Sequence, residues 1–136
     1  GVPLRLEIGP KDIEKNQCVL VRRDNREKTF TSLDDLESAI PQQLDALAQG
    51  IFQRALNNRE NRTFSATTME EVIKLASENN GYIKTMWCGD QACEEKMKEE
   101  AGLSSRCMPF EQEVIGDVCP CCGKPAKTMV YWGKAY

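Results

Sequence analysis

The apolar and polar positions of two segments near the start of the chain have the pattern of strands. Leu4, Leu6 and Ile8 alternate with charged residues, and the segment CVLVRR, which begins at Cys18, is apolar with a basic end. The alternation predicts a first strand with one buried face, and the apolar run predicts a second strand. The connection GPKDIEKNQ between them has room for one helical turn after its proline, and DNREK after them predicts a turn.

The middle of the chain carries helical spacing instead. Ser32 is placed to cap a short helix, with Asp35 three residues later, and Pro41 suits the first turn of a longer helix. The apolar positions of the longer helix follow i, i+3, i+4, i+7 spacing and predict one buried stripe, formed by Leu44, Leu47, Ala48, Ile51, Phe52, Ala55 and Leu56. The polar run NNRENRT predicts the end of this helix and a linker.

A second unit is predicted to begin near Thr63. Thr67 and Thr68 precede Glu70 and Glu71 in a doubled capping-box pattern, so a helix should follow. The inner face of that helix is predicted to consist of Met69, Val72, Ile73 and Ala76. Further along, GYIKTMW, SSRCMPF and AKTMVYW predict strands, and DQACEEKMKEE predicts a short charged helix.

Length and composition fit one ordinary soluble domain or two small ones. The chain has 136 residues, of which 40% are hydrophobic and 29% charged, and no apolar run approaches the ~20 residues of a membrane span. The predicted elements make an α+β (mixed α/β) fold in two domains, residues 1–62 and residues 63–136. A net charge of −3 predicts no general attraction to nucleic acid, and neither DNA nor a membrane is expected as a partner.

Two absences narrow the chemistry. The chain contains no histidine, which excludes Ser–His and Cys–His catalysis and mixed Cys/His zinc sites. It has no secretory signal peptide, so a cytoplasmic location is expected. Because it begins at Gly1 without methionine and enters a strand at once, we interpret it as part of a longer protein.

The seven cysteines favour metal binding over disulfide bonds. An odd number cannot all pair within the chain, and the cytosol keeps thiols reduced. The stretch CPCCGK has a zinc-knuckle pattern, in which Cys119 and Cys122 face the same metal and Gly123 allows a left-handed turn. Cys121 would then point away from the metal. Because three cysteines lie within four positions, the choice between the Cys119/Cys122 pair and Cys121 remains open.

A second cysteine pair completes the predicted site. Cys88 closes a strand, and Cys93 lies in the first turn of a helix, where the partial positive charge favours a thiolate. Four cysteines with no open coordination position predict a structural zinc site rather than a catalytic one. The rival interpretation is a redox C-x-x-C pair, which needs no second pair. Cys18 and Cys107 are predicted to be small buried apolar residues.

The order of these motifs resembles one enzyme family. GVPLRLEIGPKD followed by CVLVRRD resembles the end of the anticodon-binding domain of prolyl-tRNA synthetases. WCGDQACEEKMKEEAG, RCMPF, CPCCGKPAK and VYWGKAY resemble the C-terminal zinc-binding domain of the archaeal and eukaryotic type, which some bacteria also have. The resemblance implies part of a class II anticodon-binding α/β domain followed by a small zinc-binding α/β domain.

The same resemblance implies a function. The parent enzyme would ligate proline to tRNA(Pro) with ATP, and an upstream catalytic domain would bind ATP and Mg²⁺. This chain is expected to hold no catalytic residue and to aminoacylate nothing alone, and its parent to be a homodimer. The alternatives are a free-standing tRNA-binding or regulatory zinc module and a thiol redox protein.

The family also implies which residues contact RNA. It reads an anticodon whose last two bases are both guanine, which cationic side chains contact on one edge and carboxylates on the other. The motif R-x-E-x-G-P-K-D carries Arg5, Lys11 and Asp12 as candidate base contacts. Glu7 is a weaker candidate, because it can instead orient Arg5.

Two more features follow from the resemblance. Arg22 and Arg23 are candidates for contacts with backbone phosphate. The tail ending in Tyr136 is expected either to approach the catalytic domain or to end at the surface.

Overall fold

A computed structural model describes residues 1–135; the prediction for Tyr136 lies outside the described residues. The chain divides into two compact units, of which the first is Gly1–Asn57 and the second begins at Asn58. Both helices and sheets are present, so the predicted α+β fold class is confirmed. In the part of the chain that is described, no helix combines the length and the apolar character needed to cross a membrane.

The first unit is built on a three-stranded antiparallel sheet of order β1-β2-β3. Its elements are β1 Leu4–Glu7, α1 Pro10–Glu14, β2 Gln17–Arg22, β3 Lys28–Ser32, a 3₁₀ turn Leu33–Asp35 and the start of α2 Leu36–Glu60. The pairing register places two rows of side chains on one face, namely Arg5–Val21–Lys28 and Glu7–Val19–Phe30. Cys18 and Leu20 alternate to the other face and are buried there.

The structure of this unit departs from the sequence predictions at three points. The strand β3 was not predicted, because the segment KTFTS holds a single large apolar residue. The helix α2 begins at Leu36, so Pro41 lies inside it and removes one intrahelical hydrogen bond instead of starting the helix. Of the predicted stripe only Leu47 is buried, while Ile51 and Phe52 are 40% and 67% exposed.

The second unit is a four-stranded sheet of order β4-β5-β7-β6 with two helices. Its elements are β4 Thr63–Ser65, α3 Met69–Glu78, β5 Tyr82–Trp87, α4 Gln91–Ala101, β6 Leu103–Cys107 and β7 Thr128–Lys134. Strand β4 runs parallel to β5, and the other pairs are antiparallel. Trp132 fills the centre of the core, together with Val72 of α3 and Met97 of α4.

The N-terminus of α3 forms as the sequence predicts. The Thr68 hydroxyl accepts the Glu71 N–H, and the Glu71 carboxylate accepts the Thr67 and Thr68 N–H groups at 2.8 and 3.2 Å. Ile73, predicted on the inner face of this helix, is 40% exposed, while Val72 and Ala76 are buried. This helix therefore packs on the sheet through a narrower face than the pattern predicts.

Candidate functional site

Four cysteine sulfurs converge in the second unit. The Sγ atoms of Cys88, Cys93, Cys119 and Cys122 all lie within 4.8 Å of one another. Cys88 Sγ is 3.6 Å from Cys93 Sγ and 3.6 Å from Cys122 Sγ. Four sulfurs bound tetrahedrally at ~2.3 Å from one zinc ion would be about 3.8 Å apart. The cluster therefore already has the dimensions of a four-thiolate metal site.

Two tight turns present three of these thiols. Cys88 follows β5, and Gly89 after it has φ +89°; Cys122 precedes Gly123, which has φ +70° as the sequence predicts. Both glycines occupy the left-handed region, where a side chain would be strained. The backbone of Gly123 also donates to the Cys119 carbonyl at 2.8 Å, which closes the second turn.

Helix α4 presents the fourth thiol. Asp90 caps this helix by accepting the Ala92 N–H at 3.1 Å, so Cys93 lies in its first turn. Lys124 lies 3.5 Å from the Asp90 carboxylate and so links the two turns. Cys93 and Cys119 are 4% and 1% exposed and belong to a hydrophobic cluster with Met86, Ala126 and Met129.

The thiols differ in how readily they ionise. A hydrogen bond from the Lys124 N–H lowers the pKa of Cys122 to about 7, whereas burial raises the pKa values of Cys88 and Cys93. Buried thiols stay neutral unless a cation compensates the thiolate charge. A divalent ion would supply that compensation and would bind at the expense of the thiol protons.

The three remaining cysteines are not among the four converging sulfurs. Cys121 turns its sulfur toward the Cys93 carbonyl at 3.5 Å and Met69 Sδ at 3.9 Å, and burial raises its pKa to about 11. Cys18 is fully buried, as predicted. Cys107 is exposed at the end of β6, so the prediction that it is buried was wrong: the strand ends there, and nothing covers its side chain among the described residues.

The predicted RNA-contact residues of β1 share one face of the sheet. Arg5 and Glu7 form an ion pair at 2.6 Å, and Lys28 of β3 lies 3.5 Å from the other Glu7 oxygen. Glu7 therefore contacts two cations, and its contact with Arg5 is compatible with the alternative prediction that it orients this side chain. All three side chains are at least partly exposed and accessible to a ligand.

Lys11 and Asp12 lie in the short helix that follows this strand. Asp12 Oδ2 accepts the Gly9 N–H at 3.0 Å, and Oδ1 accepts from Gln17 Nε2 at 3.2 Å. Its carboxylate thus shapes the turn, and each oxygen keeps a free lone pair. Lys11 is exposed at the same turn.

A basic cavity of about 530 Å³ adjoins this face. It is lined by Val2, Arg5, Val21, Arg22, Arg23, Arg26 and Lys28. Arg22, however, is bound to Asp24 at 2.8 Å and to the Ala46 carbonyl at 3.0 Å, which makes it a structural residue that joins β2 to α2. The Arg22 guanidinium in turn lowers the pKa of Asp24.

Two residues of this face were missed from the sequence. Lys28 and Phe30 belong to β3, the strand that the pattern did not predict. Phe30 is 69% exposed, and its register partner Val19 pairs with Glu7. An alternation of Lys28, Phe30 and Ser32 was the available signal, and it places the aromatic ring and the charge on the same side of the strand.

Comparisons with known proteins agree with these features. A model described as prolyl-tRNA synthetase, C-terminal, matches residues 69–136, and one described as anticodon binding domain matches residues 1–43. The whole chain is 61% identical to part of proline–tRNA ligase 2 from Bacillus cereus (strain ZK / E33L) and 61% identical to part of proline–tRNA ligase from Clostridium novyi (strain NT).

A solved structure is similar over the same extent. The crystal structure of prolyl-tRNA synthetase from Cryptosporidium parvum, complexed with L-proline and AMP, matches all of this chain with a TM-score of 0.89 and 33% identity. The chain spans 29% of that protein, and 29% and 28% of the two bacterial relatives.

Proposed function

We propose a function for this chain on the basis of its family: it belongs to the prolyl-tRNA synthetase C-terminal family. It would be the part of a proline–tRNA ligase that recognises the anticodon of tRNA(Pro) and carries a structural zinc site. The observation that carries the proposal is the sheet face on which Arg5, Glu7 and Lys28 lie together, beside the turn that holds Lys11. The proposed domains remain residues 1–62 and residues 63–136.

Base recognition would be divided among these side chains. Arg5 and Lys11 suit the O6 and N7 acceptors of guanine, and the free lone pairs of Asp12 suit its N–H donors. Glu7 would hold Arg5 in position through their 2.6 Å ion pair. The exposed ring of Phe30 offers a surface on which an unpaired loop base can stack.

An anticodon stem–loop RNA tests this assignment. Its binding to the chain is compared, by fluorescence anisotropy, with that of the same hairpin in which both anticodon guanines are replaced. The preference for guanine is expected to fall roughly tenfold in Lys11→Ala, because one good base contact contributes about 1–3 kcal/mol of discrimination.

The matched control for Lys11→Ala is Lys15→Ala. Lys15 is an exposed lysine at the end of the same short helix. If the chain binds both RNAs equally, or if Lys15→Ala lowers the preference as much as Lys11→Ala, the base-contact assignment is wrong.

The metal at the four cysteines would be zinc with a structural role. Thiolates are soft ligands that select zinc or iron–sulfur chemistry, and four of them leave no position for substrate. The convergence of both cysteine pairs supports a metal over a redox pair, which would need only two thiols. Cys88, Cys93, Cys119 and Cys122 are the proposed ligands.

Elemental analysis of the purified chain tests the zinc assignment. One zinc per chain is expected, with loss in Cys93→Ser and retention in Cys121→Ser, because Cys121 lies outside the cluster. Iron in place of zinc, or no metal in the unmodified chain, would refute the assignment, and the redox interpretation would then have to be tested.

The catalytic chemistry of the parent would lie outside this chain. ATP and Mg²⁺ would be bound by a catalytic domain in the rest of the protein, and ligation of proline would take place there. The parent would act in the cytoplasm as a homodimer. Aminoacylation by the chain alone would contradict this division of roles.

A further inference from the structure

The second unit contains a wide basic cavity that none of the roles above uses. This basic depression has a volume of about 600 Å³ and lies away from the four cysteines. Its charged lining residues are Arg59, Arg62, Arg106 and Lys134, and its polar ones include Asn80 and Tyr82. Among the described residues, its lining contains no carboxylate.

The cations are concentrated here although the unit as a whole is acidic. From residue 58 onward the sequence has ten Lys/Arg and twelve Asp/Glu, so four of the ten cations line one cavity. Elsewhere in the unit, Lys84 pairs with Glu113 at 2.6 Å and Lys124 with Asp90 at 3.5 Å. Within residues 1–135, none of the four cations of the depression has a carboxylate partner. Cations gathered here without a carboxylate partner among the described residues favour the binding of an anion from solution.

Two glycines give the depression its shape. A Cβ atom on Gly81 would lie 1.9 Å from the Arg62 carbonyl oxygen, which accepts the Tyr82 N–H at 2.8 Å. A Cβ atom on Gly133 would lie 3.2 Å from Arg106 Nε. The Arg106 guanidinium donates to the Lys134 carbonyl at 2.6 Å. This bond to β7 orients the guanidinium in the absence of a ligand.

We propose that the basic depression binds the phosphate backbone of an RNA strand without regard to base sequence. Guanidinium groups present paired donors that match phosphate oxygens. Four cations spread around about 600 Å³ suit several phosphates of a polymer better than one small anion. Tyr82, which is 41% exposed beside them, adds a ring for a base or ribose, which an acidic peptide would not need. This site is independent of the anticodon contacts proposed for the first unit.

Salt-dependent binding of the full chain tests the proposal. The probe is an RNA hairpin without guanine in its loop, and its affinity is measured by anisotropy over a series of KCl concentrations. In the double variant Arg59→Gln/Arg62→Gln, the negative slope of log K against log salt should become shallower by about 1.5. Each phosphate contact contributes about 0.7 to 0.9 to the magnitude of this slope. The matched control Lys74→Gln/Lys98→Gln removes two exposed lysines of this unit that do not line the depression, and it should change the slope much less.

Several results would overturn the proposal. One is an unchanged slope in Arg59→Gln/Arg62→Gln, and another is an equal fall in the control variant. Displacement of the RNA by inorganic phosphate at low millimolar concentration would indicate a small-anion pocket, and equal competition by polyglutamate would indicate an acidic protein partner. If the double variant does not fold, as judged by circular dichroism, Lys134→Gln at the exposed end of β7 provides the same test, with an expected fall of about 0.7 to 0.9.

The two RNA proposals fail separately. The anticodon assignment is measured as a preference between two hairpins, whereas the depression is measured as a salt slope with a single hairpin. A chain that prefers guanine but keeps its slope in both Arg59→Gln/Arg62→Gln and Lys134→Gln would refute only the depression. A chain that shows no preference for guanine but has a shallower slope in these variants would refute only the anticodon assignment.

Discussion

At the scale of single residues, one buried hydrogen bond joins the two central strands of the second unit. Trp132 is 1% exposed, and its Nε1–H donates to the Thr85 hydroxyl at 2.9 Å. Thr85 is fully buried and donates in turn to the Met86 carbonyl. A buried indole N–H that loses its acceptor bears the full cost of desolvation.

We therefore expect Thr85→Val to destabilise the second unit by about 1–3 kcal/mol, because the substitution keeps the shape but leaves Trp132 Nε1 unsatisfied. Urea denaturation followed by tryptophan fluorescence measures the change. Thr128→Val in β7 is the matched control, because Thr128 is only partly buried and takes no part in the bond from Trp132. Equal stability of Thr85→Val and the unmodified chain would show that the bond contributes nothing.

Glu71 is a second residue whose role has a measurable signature. Its carboxylate accepts the Thr67 N–H, the Thr67 hydroxyl and the Thr68 N–H, and these bonds lower its pKa. Because the folded-state pKa is depressed, the stabilisation is complete above the ordinary glutamate pKa. It is lost as the pH falls through the depressed value.

We expect Glu71→Gln to be less stable than the unmodified chain at pH 7 and the difference to shrink progressively in acid. Urea midpoints measured from pH 7 downward test this expectation. Glu70→Gln is the control, because it removes the same first-turn charge without removing the capping bonds. A stability gap that stays constant with pH would contradict the ionic part of the argument.

At the scale of elements, local patterns predicted strands and helices well where the signal was strong. The α3 cap and the strands β5 and β7 follow from a capping box and from apolar runs. The strand β3 was missed because KTFTS holds a single large apolar residue, and β4 was missed because TFS is too short to show a period. What makes them strands is pairing with β2 and β5, a tertiary effect that lies outside any local window.

Some features of the candidate sites could likewise be predicted from the sequence, and others could not. The spacing of Cys119, Cys122 and Gly123 predicted a turn that presents two thiols, and the structure forms that turn. The positioning of Asp12 by Gly9 and Gln17, and of Glu7 by Lys28, depends on side chains that meet only after folding. The sequence therefore names candidate residues, without Lys28 and Phe30 of β3, and does not predict the bonds that orient them.

The connection from α2 through β4 to β5 contains a close approach of two backbone segments. Gly81 brings the start of β5 against Arg62, so Gly81→Ala would force the backbone apart. We expect a loss of at least about 1–3 kcal/mol, as for other overpacked sites, measured by urea denaturation.

Gly116→Ala is the control for Gly81→Ala. Its added Cβ would meet Thr67 Cγ2 at an ordinary 3.6 Å. It should be neutral, or slightly stabilising through the unfolded chain. Similar losses in both variants would show that crowding at Arg62 is not the cause.

At the scale of the whole molecule, the two units differ in how their folds are held together. The first unit rests on a three-stranded sheet with Cys18, Leu20 and Leu47 among its buried residues. The second unit has a larger core, yet its segment from 108 to 127 contains no helix and no strand of the two sheets. Cys119 and Cys122 lie in that segment, so a metal would join it to β5 and α4.

Removal of the proposed metal should therefore affect the second unit selectively. With a strong chelator, we expect its unfolding temperature to fall by many degrees, because binding energy at a structural zinc site is folding energy. Amide hydrogen exchange in β5 and β7 should rise, while exchange in β2 should stay unchanged. Cys121→Ser should respond to the chelator as the unmodified chain does, and Cys93→Ser should already resemble the chelated protein. An unfolding temperature that does not change with chelator would mean that the hydrophobic core around Trp132 is sufficient for this unit and that the four sulfurs converge without stabilising it.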